Sequence, residues 1–131
     1  MEKMPQLEPE LVRNFVIAGH GDQARTHELL ERHPTLLNAA WDWGGGDWET
    51  ALGGAAHTGS REVAEFLLQR GARLDIFAAA MLGELEIVKS MLKAFPSLAE
   101  TPGPHGIPLL VHAQVGGEAA EEVVEYLSVY A

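Results

Sequence analysis

Apolar positions along this chain recur in short helical runs that come in pairs, and the clearest pair lies between Glu49 and Asp75. Leu52, Ala55 and Ala56 fall at helical spacing behind Thr50, a residue suited to capping. Gly59 follows where a left-handed glycine would end such a helix. Ser60 is placed to cap a second helix, with Glu62 and Glu65 in its early turns, where carboxylates suit the helix dipole. Val63, Ala64, Phe66, Leu67 and Leu68 give that helix one broad apolar face, and Gly71 stops it. The unit predicted is a hairpin of two antiparallel helices, small side chains on the first and large ones on the second. Such a pair cannot bury its own apolar face, so copies are expected on either side.

The copies are visible. Pro9 fits the first turn of a helix carrying Leu11, Val12, Phe15, Val16 and Ala18, broken by Gly19-His20-Gly21-Asp22. A partner helix runs through Leu29 and Leu30 to about Arg32 and ends at His33-Pro34, so the first unit spans residues 10–38. Arg25 and Thr26 stand where the central unit has Val63 and Ala64, as expected of an end repeat with one side open to water. After the central unit, Asp75 leads directly into an inner helix through Met81-Leu82-Gly83, followed by an outer helix with Ile87, Val88, Met91 and Leu92. The run M-L-K-A-F-P-S-L echoes L-L-E-R-H-P-T-L of the first unit. A Pro/Gly-rich segment from Thr101 to Gly106 precedes a last inner helix over residues 107–114, whose register depends on whether Gly106 or Pro108 anchors it. Val123, Val124 and Leu127 carry the last outer helix, with Glu118, Glu121, Glu122 and Glu125 on its polar face.

This grammar resembles the ankyrin repeat, whose signature is of the type G-x-T-P-L-H-x-A-A-x-x-G followed by an apolar outer helix and G-A. Thr50, Leu52, Ala55, Ala56, Gly59, Val63, Leu67, Leu68, Gly71, Ala72 and Asp75 stand in matching places. Trp48, Ala51 and Gly53 depart from the turn glycine, the proline and the histidine. The resemblance covers nearly the whole chain and is nearest to small stand-alone bacterial ankyrin-repeat proteins. It implies an all-α, ankyrin-like solenoid of about four helix-pair repeats with short finger loops. One domain over residues 1–131 is expected, with residues 1–8 as a flexible tail. The finger after the first pair, around Asn38 to Trp48, is enlarged, the one between pairs two and three is missing, and a second is expected near Thr101 to Gly106.

Composition narrows the function. With 47% apolar residues in 131, the chain is an ordinary globular one. It has no cysteine, hence no disulfide framework and no thiolate metal site. No apolar run approaches membrane-spanning length and Met1 to Pro5 does not open a signal peptide, so a cytoplasmic address is expected. A net charge of −10 with scattered Lys and Arg disfavours nucleic acid and leaves solubility or basic partners. No catalytic motif is present: Gly44-Gly45-Gly46 lacks the lysine of a phosphate loop, and neither G-x-S-x-G nor H-E-x-x-H occurs. No enzyme activity and no cofactor are expected.

Two features remain. His20, His57, His105 and His112, with Asp42 or Asp47, could in principle converge on a metal, but their spacing is wrong for a compact ligand set, so no metal is expected. The finger Trp41-Asp42-Trp43 to Asp47-Trp48-Glu49 places three tryptophans in eight residues with acids interleaved. This suits a recognition loop for an apolar or cationic group, or rings packed under the finger to seal the first two repeats, or a mixture of both. Gly53 and Gly54 inside a short helix each cost about 1 kcal/mol relative to alanine, which calls for a close approach, either by a tryptophan or at the floor of a pocket. A small concave pocket of Trp43, Trp48, Gly54, His57, Met81 and His112 is expected. The resemblance implies a non-enzymatic module that binds another protein through the concave groove and the Trp-rich finger, with Trp43, Trp48, Glu49, His57, Met81 and His112 in contact. A small-ligand binder or degenerate enzyme with its site in the same groove is the alternative, and self-association through an exposed Met81-Leu82 patch is a third reading.

Overall fold

The computed structural model describes residues 2–130. Eight helices form four antiparallel pairs: α1 (Pro9–Gly19) with α2 (Gln23–Arg32), α3 (Ala51–Thr58) with α4 (Arg61–Gln69), α5 (Ile76–Leu82) with α6 (Leu85–Ala94), and α7 (Leu109–Val115) with α8 (Glu121–Val129). The inner helices α1, α3, α5 and α7 stack in sequence order, and each outer helix packs behind its partner. This is an ankyrin-like solenoid. Among the described residues, no helix is long and apolar enough to cross a membrane.

The stacking follows from side-chain size. Ala51, Ala55, Ala56, Ala78, Ala79, Ala80 and Ala113 on the inner helices are all fully buried, so neighbouring backbones approach closely. The outer helices supply the bulk through Leu29, Leu30, Val63, Leu67, Val88, Leu92 and Val123, all buried. Two apolar clusters result, one in the first two pairs that extends to Ala78 and Met81 of α5 and one in the last two, and Phe77 on α5 packs against both.

The caps largely follow the chain's own signals. The Thr50 hydroxyl accepts from the Gly53 N–H at 3.0 Å, and Gly59 ends α3 at φ 68°, ψ 25°. Asp75 caps α5 by accepting from the Ala78 N–H at 2.8 Å. Ser60 occupies the position before α4 but makes no cap, because its hydroxyl pairs with that of Thr58 at 2.8 Å. Thr26 also departs from expectation: it is fully buried rather than water-facing, and its hydroxyl donates to the Asp22 carbonyl at 2.8 Å.

The first finger is a hairpin of β1 (Ala40–Asp42) and β2 (Trp48–Thr50), antiparallel, with Trp41 opposite Glu49 and Asp42 opposite Trp48. Pairs two and three are joined by a bare turn, as expected. The second finger is not a hairpin. Residues 96–106 hold two 3-10 turns, Pro96–Ala99 and Pro104–Gly106, and Pro102 and Pro104 bring no N–H to a ladder. Pro108 sits at the N-cap of α7, which settles the register of the last repeat.

Candidate functional site

The most unusual feature of the structure is a carboxylate buried among imidazoles. Alternation along β2 turns Trp48 to solvent, at 60% exposure, and Glu49 inward, at 1%. Glu49 Oε1 accepts from the Trp43 indole N–H at 2.9 Å and lies 3.0 Å from His20 Nε2 and 3.4 Å from His105 Nε2. Its other oxygen lies 3.0 Å from His57 Nε2. One donor atom from each of His20, Glu49, His57 and His105 falls within 4.8 Å of all the others.

Each imidazole comes from a different part of the solenoid. His20 closes α1, and its Nδ1 lies 2.8 Å from the Val16 carbonyl. His57 is in the last turn of α3, its ring edge-on to His20 with centroids 4.9 Å apart. His105 belongs to the turn before α7 and is tied to the finger by Asp47, which accepts from its backbone N–H at 2.8 Å and meets its Nδ1 at 2.7 Å. The finger tip is itself braced: Asp42 Oδ1 accepts from the N–H groups of Gly44 and Gly46, and Gly44, Gly45 and Gly46 all take positive φ values that other residues adopt at a penalty.

Electrostatics follow from the burial. A carbonyl and a carboxylate can only accept, so with one at each ring nitrogen and no cation between them the contacts of His20 favour its protonated form. Its pKa is accordingly raised, chiefly by the hydrogen bond to Glu49. Burial pushes the Glu49 carboxyl up, but the hydrogen bond and charge of His20, the Trp43 donor and His57 outweigh it and leave the pKa below the ordinary value. Burial lowers the pKa of His57, with the charges of His20 and His105 adding to that and Glu49 opposing it. The Asp47 carboxyl is held low, first by the backbone N–H of His105.

Of the remaining expected site residues, Trp43 and Gly54 belong to this cluster, and Met81 and His112 do not. Trp43 joins the cluster through its indole, edge-on to His20. Gly54 lies beneath the His20 ring: a Cβ added there would stand 2.6 Å from His20 Nδ1 and Cε1. The close approach expected at the two glycines is therefore made by an imidazole of the first repeat, not by a tryptophan or an open pocket. Met81 and His112 are fully buried, Met81 in the core and His112 against Phe77 with its Nδ1 2.9 Å from the Pro108 carbonyl. Neither can touch a partner, so the six residues do not line one concave pocket and no Met81-Leu82 patch is offered for self-association.

Histidine spacing pointed away from a compact ligand set, yet three of the four histidines meet at Glu49. Spacing tests ligands on one helix or loop, whereas these converge because consecutive pairs stack and a turn 58 residues beyond Asp47 folds back onto the finger. Glu49, expected to touch a partner, is instead turned inward at 1% exposure, because alternation along β2 sends Trp48 to the solvent side. No protein-family model matches the chain, and no curated protein matches it. The ankyrin-like description therefore rests on the helix-pair architecture and on the residues themselves.

Proposed function

We propose that this protein is a non-enzymatic binding module that presents the outer face of its finger to a partner protein. The observation that carries this reading is Trp48, which stands 60% exposed on a strand whose opposite face is fixed by Glu49. A large rigid ring held in water on a braced hairpin is the form of an interface anchor, because little conformational entropy is lost when it is covered. Helical solenoids are widely suited to such contacts, since their stacked repeats offer an extended surface. The net charge of −10 favours a partner with a basic face. Trp43, Glu49 and His57 act in this reading by holding the finger in place.

The test is a photo-crosslinking amino acid placed at position 48 and irradiated in cells that make the protein naturally. A discrete crosslinked species is expected, lost when unlabelled wild-type protein competes and retained when Trp48→Ala protein competes. Crosslinking no greater than from exposed Glu118, on the far end of the solenoid, would remove the reading.

A further inference from the structure

We propose that His20, Glu49, His57 and His105 form a binding site for one divalent transition-metal ion of the zinc type. The ion ties the finger to the first two inner helices and to the turn before the last.

The geometry is that of a ligand set. A tetrahedron with metal–ligand bonds of about 2.0–2.1 Å has edges of roughly 3.3 Å. To Glu49 Oε1 the separations are 3.0 Å for His20 and 3.4 Å for His105, and to Oε2 it is 3.0 Å for His57. One donor atom from each of the four residues lies within 4.8 Å of the others, so small side-chain shifts bring the set onto one ion. Two rings are aimed from behind. The Val16 carbonyl at His20 Nδ1 and the Asp47 carboxylate at His105 Nδ1 leave Nε2 of each facing Glu49, the outer-shell arrangement that orients metal-bound histidines.

Two further observations point to something between these groups. Glu49 Oε2 and His57 Nε2 are both buried and 3.0 Å apart, yet neither makes a hydrogen bond of ordinary geometry. Buried polar atoms without partners are uncommon, and a shared cation satisfies both. His105 is the only non-glycine residue among those described with a positive φ, at 63°. A side chain is kept at a position glycine would fill with less strain, and it is the side chain that reaches Glu49.

The donor chemistry narrows the ion. Three imidazoles and one carboxylate suit zinc and its first-row neighbours, whereas magnesium and calcium take oxygen ligands throughout. The histidine side chains are 16–32% exposed while Glu49 is covered, so an ion can enter from solvent over the imidazole edges.

The test is a titration of metal-free protein with Zn2+, by calorimetry and by competition with a chromophoric chelator, and with Co2+ by its ligand-field absorption. One equivalent of Zn2+ is expected to bind and to raise the melting temperature, and Co2+ should give the intense bands of a low-coordinate site. Affinity should fall at least tenfold in His57→Ala and in His105→Gly, about 10–100-fold in Asp47→Asn, and not at all in His33→Ala. His105→Gly relieves the backbone at φ 63°, so its loss of binding reports the ligand and not a collapsed fold. Absence of saturable one-to-one binding overturns the site, as does binding undiminished by both His57→Ala and His105→Gly.

Discussion

The two adjacent glycines of α3 show how a single residue reads out its surroundings. A Cβ on Gly54 would stand 2.6 Å from the His20 ring, which is pinned at both nitrogens. A Cβ on Gly53 would meet Glu49 Cγ at 3.3 Å and Pro104 at 3.5 Å, tight but near ordinary contact. Gly54→Ala should therefore set overpacking of about 1–3 kcal/mol against about 1 kcal/mol of helix propensity, a net loss. Gly53→Ala should be neutral or slightly stabilising. Thermal melts of the two variants check the contrast, and equal behaviour would show that His20 moves aside freely. Asp75 supplies a second prediction at this scale. Burial raises its pKa, against the opposing Ala78 and Phe77 N–H groups and the charge of His112. A carboxyl with a raised folded pKa favours the fold below its unfolded value of 3.8 and loses that contribution as pH climbs through the folded value. Ionised Asp75 is thus a liability near neutrality. Asp75→Asn keeps a capping oxygen and should match or exceed wild-type stability at pH 7 while flattening the fall in stability above pH 3.8, measured by urea unfolding across pH. Asp75→Ala removes the cap and should lose about 1 kcal/mol below pH 3.8, and less at pH 7, where the wild-type carboxyl bears its ionisation cost. The cap at Asp75 is a local signal, because capping depends on residues three apart. The ring over Gly54 is not, because its identity depends on which repeat's histidine stacks there.

Among the elements, the finger carries the most information. A finger at this place is what the ankyrin resemblance implies, and strands β1 and β2 form within its bounds. The second expected finger failed because turn composition alone does not make a hairpin, and the prolines there withhold ladder donors. Within the real finger, the Asp42 carboxylate organises the tip by accepting two backbone N–H bonds at 2.8 and 2.9 Å. Asp42→Ala should loosen the tip without unfolding the solenoid. Hydrogen exchange at Gly44 and Gly46 should speed by tenfold or more while exchange in α3 and α5 stays as in wild type. Trp48→Ala, by contrast, should change stability by no more than about 0.5 kcal/mol, as for an exposed position outside the core. A larger loss would mean that Trp48 supports the hairpin and is not held ready for a partner.

The molecule as a whole is two apolar clusters joined by stacked inner helices, by Phe77 and by one long-range strut. That strut is Asp47 of the finger holding the backbone and ring of His105 across 58 residues of sequence. Repeat stacks couple mainly through nearest neighbours, so a strut that skips from the first finger to the last turn should make unfolding more cooperative than stacking alone provides. Leu92 is fully buried in the C-terminal cluster, and Leu92→Ala should lose about 2–5 kcal/mol through lost contacts and the space left behind. With the strut intact and a chelator present to remove metal, that variant should melt in a single transition at lower temperature. Combined with Asp47→Ala, the same substitution should melt in two steps, with α6, α7 and α8 losing amide protection first and α1 to α4 persisting. Two steps in both backgrounds would mean that the halves are already independent, and one step in both that packing across α3, α5 and α7 suffices. Only the difference between the backgrounds assigns the cooperativity to the Asp47–His105 link. Nothing in the spacing of those two residues announces that link; it exists because the stacking of α3, α5 and α7 brings the turn before α7 to the finger's side.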